Sequence, residues 1–201
     1  MSILSGFLFG LSTLLFIGPV FFYLLKSSIE SGLKAGIAVA TGIIVGDIIC
    51  VLLAIYGFGD YFETPIVQKF FAGIGGILLL AFGLNYFFKP SINLKVEGKF
   101  TSKKIMVYFI NGFLINFINP FVFAVWFGFY TVNKAKLENE NSIIISMTVT
   151  LIVIFSTDLL KAFFAKKITN YIKPSKLKII FKAFGVIMIG FAIRLFFVLF
   201  K

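Results

Sequence analysis

The stretch ILSGFLFGLSTLLFIGPVFFYLL, residues 3–25, decides how this chain is read. It runs 23 residues without a charge, and about 20 apolar residues suffice for a helix to cross the hydrocarbon core of a bilayer. In lipid an isolated segment must satisfy its own backbone hydrogen bonds, so such a span is helical. Pro19 stands inside it. Proline brings no backbone donor and its ring clashes with the preceding turn, so carbonyls near it lose their helical partner. No basic region or clear small-residue cleavage site accompanies the stretch, which predicts a retained first helix rather than a removed signal peptide.

Five further apolar stretches follow: Gly36–Phe58, Ile66–Phe88, Val107–Tyr130, Ile143–Ala165 and Ile179–Phe200. With Ile3–Leu25 they predict an all-α integral membrane protein of six spans, each long enough to cross with some tilt. Composition agrees. Of 201 residues 60% are apolar and 13% charged, against roughly 45–50% and 25% in soluble domains. Six spans and short connections leave no room for a separate soluble domain, so residues 1–201 form one transmembrane domain.

The net charge of +11 would suggest nucleic acid in a soluble protein. Here it follows membrane topology. The connections after the first, third and fifth spans, with their flanks, hold 14 of the Lys and Arg residues, and the opposite side holds 5 (Lys69, Lys134, Lys136, Arg194 and Lys201). The richer side is expected to be cytoplasmic, which puts both termini outside and the chain in a bacterial inner membrane. Nucleic acid is not needed as a partner; anionic lipid head groups are the milder attraction.

Matching motifs recur. Phe16-Ile17-Gly18-Pro19 corresponds to Phe117-Ile118-Asn119-Pro120 at an offset of 101, Asp47 to Asp158 at 111, and Gly75 and Phe87 to Gly185 and Phe197 at 110. Three matches in order predict two repeats, about 1–88 and 104–201, joined by a cytoplasmic loop over 89–103. Three spans per repeat is an odd number, so the halves have opposite orientation: two inverted three-helix repeats, the plan of many secondary transporters.

Candidate site residues follow. Gly18-Pro19 and Asn119-Pro120 break two spans at related positions, and such breaks expose backbone groups to solutes. Asn116 precedes Asn119 by three residues, so both amides share a helix face. Asp47 lies about twelve residues into the second span. A carboxylate there costs roughly 2.5–3.5 kcal/mol on an insertion scale, which marks it as functional by default; it can bind a proton or a solute ammonium, the alternative being a structural hydrogen bond to the broken helix. Asp158 is its repeat partner, nearer the cytoplasmic end of the fifth span. Lys161, three residues on, can pair with it or reach the head groups; either role is structural, and Arg194 is expected to reach outward. Gly6-xxx-Gly10, Gly42-xxx-Gly46 and Ala72-xxx-Gly76 are small-residue faces for close helix packing, within the chain or in a homodimer. The only cysteine is Cys50 and there is no histidine, which removes disulfides, cysteine metal sites and the commonest metal ligand and proton carrier. No Gly-Lys-Ser phosphate loop signals ATP, and no histidine-based nucleophile set is available; the chain is not expected to be an enzyme.

Phe16-Ile17-Gly18-Pro19, Ser31-Gly32-Leu33-Lys34-Ala35-Gly36, Thr41-Gly42 and Gly46-Asp47 resemble the amino-terminal signature of the lysine exporter / homoserine-threonine exporter (LysE/RhtB) family. Asn111-Gly112, Asn116 and Asn119-Pro120 resemble its second-half pattern. The family's first proline of Pro-Gly-Pro is Ile17 here, and its lysine after Asn-Pro is Phe121; these departures bear on the solute more than on the fold. The resemblance implies a proton-motive-force-driven exporter of amino acids or similar zwitterions, without an organic cofactor, whose path is lined by Gly18, Pro19, Asp47, Asn116, Asn119, Pro120 and Asp158. Metal exporters tend to be histidine-rich and thiol-disulfide carriers need a cysteine pair, so both are disfavoured. A passive channel and a non-transporting membrane scaffold subunit are the alternatives.

Overall fold

The computed structural model describes residues 1–16, 18–57, 64–88, 102–171 and 174–199. They form eight α-helices, and no strand occurs among them: α1 (Ser2–Ser12), α2 (Pro19–Ser31), α3 (Leu33–Ile55), α4 (Pro65–Phe88), α5 (Ser102–Phe117), α6 (Pro120–Lys136), α7 (Glu140–Tyr171) and α8 (Pro174–Leu199), with a 3₁₀ turn over Thr13–Leu15. Most of the expected 89–103 connection lies outside the described residues, as do Ile17, Phe58, Lys173, Phe200 and Lys201.

Three helices are long and apolar enough to cross a membrane (Leu33–Ile55, Pro65–Phe88 and Glu140–Ala165), and each of two bent pairs can make one further crossing. The expected sixth span falls on α8, of which Gly185–Phe197 counts as a shorter apolar helix. The first and fourth apolar stretches are not single rods. α1 with its 3₁₀ turn and α2 meet at 74°, and α5 and α6 at 62°. Both second halves begin on proline, Pro19 and Pro120, at a position where the missing N–H costs nothing. Before each proline the chain tightens into i→i+3 bonds, Phe16 N–H to Thr13 O at 3.0 Å and Asn119 N–H to Asn116 O at 3.1 Å.

Where the structure departs from the apolar limits, the helices run longer. The first span's helix continues past Leu25 to Ser31, so Lys26 is helical rather than in a connection, and Lys34 already belongs to α3. Charge does not end a helix once it leaves lipid; Gly32 does, at φ 84°, a conformation side chains disfavour. In the same way α7 runs past Ala165 to Tyr171, so Lys161, Lys166 and Lys167 are all helical. Asp158 stands 18 residues after Glu140 and 13 before Tyr171, still nearer the later end of the helix.

Close approach between helix backbones shapes the packing. A Cβ at Gly42 would collide with Phe109 O and Phe113 N, and one at Gly112 would lie 2.5 Å from Val39 O, so α3 and α5 pack backbone to backbone. α1 packs on α7 likewise, where a Cβ at Gly6 would meet Ser146 O. At the α4–α8 crossing a Cβ on Gly185 would lie 2.6 Å from Gly83 O, and one on Gly76 2.7 Å from Phe196. Lipid tails are as apolar as leucine, so tight packing replaces the hydrophobic effect as the force between spans. The small-residue faces are used within the chain. α2 rests on α3 and α7, and α6 on α3 and α7. One buried cluster gathers Cys50, Phe123, Trp126 and Met147, a second Phe22, Leu79, Tyr86 and Met188, and a third Leu24, Val39, Ile43 and Ala162.

Candidate solute site

The two helix breaks face each other. Phe16 and Phe121, one from each, stack edge to face at 5.3 Å. Beside them lies a cavity of about 820 Å³ bordered by Gly18, Pro19, Asp47, Asn116, Asn119 and Asp158. Six of the seven residues expected from sequence thus share one space, although they come from α2, α3, α5, α7 and the two breaks. The seventh, Pro120, opens α6 and sets its direction.

Asp47 is the centre of the polar wall. It is 4% exposed, and its Oδ1 accepts Asn116 Nδ2–H at 2.9 Å and Trp126 Nε1–H at 2.8 Å. Asn116 also donates to Ile43 O at 3.0 Å, which ties α5 to α3 at the level of the carboxylate. Both donors are neutral, so they hold the group in place without supplying a counter-charge. Oδ2 accepts neither bond and is not sealed off, since no sealed side-chain oxygen among the described residues lacks a partner; Asp47 lines the cavity.

Asn119 is the N-cap of α6, its Oδ1 accepting Phe121 N–H at 3.1 Å. Asn119 lines the cavity, and no hydrogen bond among the described residues spends its Nδ2 donors. Gly18 caps α2 with no side chain to do the same, so the first turn of that helix presents backbone N–H groups at the cavity's edge, where the helix dipole favours negative charge. A Cβ at Gly18 would meet nothing within 4 Å, which marks open space. Asp158 is buried and pairs with Lys161 at 2.8 Å. No group of three or more His, Cys, Asp or Glu residues fit to hold a metal occurs among the described residues.

A second cavity of about 360 Å³ lies between α2, α4 and α5 and shares Pro19 and Asn119 with the first. Its polar feature is Asn111 Nδ2 donating to Tyr23 Oη at 3.1 Å.

Two lining residues escape a reading of sequence alone. Trp126 is the only tryptophan, and a buried indole N–H needs an acceptor; that requirement, set against a lone mid-membrane carboxylate, is the available signal. Lys161 forms the expected pair with Asp158 and in addition borders the cavity.

An all-helical, multi-pass membrane protein with two broken helices meeting over a buried carboxylate belongs to the class of membrane transporters rather than enzymes. The chain is a member of the LysE type translocator family, which it matches over residues 11–198. It is similar to the leucine efflux protein of Klebsiella pneumoniae subsp. pneumoniae, 26% identical over 187 residues that cover 89% of this chain and 86% of that protein. It is also similar to the leucine efflux proteins of Salmonella choleraesuis and Salmonella typhimurium, each 24% identical over 186 residues with 89% and 86% covered. No solved structure matches it.

Proposed function

We propose that this protein is a secondary exporter of amino acids or similar small zwitterions, driven by the proton motive force and working by alternating access. The observation that carries this reading is Asp47, a carboxylate held by two neutral donors at the wall of a cavity where two helix breaks meet. A buried carboxylate without a counter-charge favours any cation that can reach it. A proton and a solute ammonium compete for the same oxygen, and exclusive occupancy by one or the other is the basis of antiport: the solute leaves as a proton enters. The apolar lining, including Ile43, Leu79, Phe123 and Met188, suits an apolar side chain, in keeping with relatives named for leucine efflux.

Alternating access needs two halves that can rock about the site, and the proposed halves are the inverted repeats 1–88 and 104–201, with 89–103 and the basic flanks cytoplasmic and both termini outside. The pairing of helices supports this arrangement. α3 packs on α5 as α7 packs on α1, α2 packs on α7 as α6 packs on α3, and α4 and α8 pack on each other. A pseudo-two-fold axis relating α1–α4 to α5–α8 produces that set of pairs.

The test is export from bacterial cells that lack their own exporters and are loaded with dipeptides. Wild-type cells are expected to release one group of amino acids faster than cells carrying Asp47→Asn, and a protonophore is expected to abolish the difference. Release that ignores the protonophore would make the protein a passive channel. Equal release by cells with membrane-inserted wild type and by empty cells would leave a scaffold role.

A further inference from the structure

Lys161 borders the cavity described above. Its Nζ donates to Asp158 Oδ1 at 2.8 Å and lies 5.7 Å from the centre of the Phe21 ring. Its side chain is 19% exposed, and it borders the same cavity as Asp47, Gly18 and Asn119. An ammonium has three N–H donors. Asp158 takes one, which leaves two for a ligand in the cavity.

The charges in the cavity are arranged in two unlike stations. Asp47 is bonded by neutral donors, whereas Asp158 already has a cation. One wall therefore offers a carboxylate open to a cation, and another offers an ammonium whose own charge is balanced but whose donors are not used up. Lys134 also lines the cavity, but it is exposed in the last turn of α6 with its Nζ 6.0 Å from the Tyr130 ring centre, away from the buried wall. A zwitterion has an ammonium and a carboxylate, and in a low-dielectric cavity each would be costly to bury without a partner.

We infer that Lys161 is a solute-binding residue that receives the carboxylate of the exported solute, with Asp158 as the residue that positions it. This rests on the reading of the chain as an amino-acid exporter. Asp47 takes the other end of the solute. Asp158 holds Lys161 inside the protein, since without it the long side chain is free to run outward. A lysine serving only as an i,i+3 partner on α7 would leave solute selectivity untouched.

The experiment is counterflow into proteoliposomes holding the full chain, first with the standard amino acids as a panel. The amino acid that the wild type moves is then compared with its carboxamide, which keeps the ammonium and loses the carboxylate. The wild type is expected to prefer the acid by about tenfold or more, the worth of a charge-assisted hydrogen bond. Lys161→Met is expected to raise KM for the acid by a similar factor, leave the carboxamide's inhibition constant unchanged, and so erase the preference. Lys161→Arg should restore most of it. A wild type that holds carboxamide and acid equally well would overturn the inference even if Lys161→Met fails to fold. So would a well-inserted Lys161→Met with KM within twofold of wild type. In both cases the exporter reading survives, because transport itself has been seen. A wild type that moves no amino acid removes that reading, and the inference falls with it.

Discussion

Trp126 donates its indole N–H to Asp47 Oδ1 at 2.8 Å, across 79 residues of sequence and between α6 and α3. Trp126 is 1% exposed and Asp47 4%, so the bond is shielded from water. It links α6, the helix that follows the break at Pro120, to the residue proposed to bind the solute.

The first prediction is that Trp126 and Asp47 act as a unit. Trp126→Phe keeps the ring's bulk and removes the donor, and hydrogen bonds to charged groups are worth about 1.5–3 kcal/mol. Export is expected to fall roughly tenfold or more with insertion unchanged. In a double-mutant cycle with Asp47→Asn the two effects should be non-additive by more than about 0.5 kcal/mol. Strict additivity would mean that the bond does not matter to transport.

Glycine substitutions should separate packing from function. Gly42→Ala drives a methyl into the backbone of Phe109 and Phe113, and overpacking of this kind costs about 1–3 kcal/mol; a lower melting temperature in detergent is the readout. Gly18 has φ −145° and open space where its Cβ would be. Gly18→Ala should therefore melt with the wild type, yet export less because the methyl enters the solute's space. A Gly18→Ala protein with full export would place the solute elsewhere in the cavity.

Asn119 is predicted to have two separable roles. Asn119→Ala removes the cap on Phe121 N–H, at about 1 kcal/mol, and the amide donor as well. Asn119→Asp keeps a capping oxygen and loses the donor. Thermal stability should drop for Ala alone, whereas export should drop for both. Full export by the Asp variant would confine Asn119 to shaping α6.

Away from the cavity, Asn133 clasps three helices. It is fully buried, and its Oδ1 accepts from Ser5 of α1 at 3.1 Å and Ser146 of α7 at 2.9 Å. Asn133→Leu leaves two hydroxyls without that acceptor, a loss of about 1–3 kcal/mol. The melting temperature should fall, and Ser146→Ala added to Asn133→Leu should restore part of it. A drop in both steps would show that Ser146 has a further role.

How legible the site was depends on the kind of signal each residue leaves. Pro19, Pro120 and Asp47 are expensive inside a membrane whatever surrounds them, because a missing donor and a buried carboxylate are local costs. They could be picked from the chain one at a time. Trp126 and Lys161 leave no such mark. Tryptophan is ordinary in a membrane helix and lysine near the end of an apolar stretch ordinarily points outward, so their roles exist only once α6 and α7 are docked beside α3.

The same division holds for the fold. The length and apolarity of the stretches determined that the chain is helical and crosses a membrane, since lipid offers the backbone no other partner. The prolines determined where two spans break. The tertiary structure alone decided the bends of 74° and 62°, because a missing hydrogen bond permits a bend and the packing of neighbouring helices sets its angle. It also decided that the Asp158–Lys161 pair, which the i,i+3 spacing allowed, borders the cavity, since a helix face has no direction until the helix has neighbours.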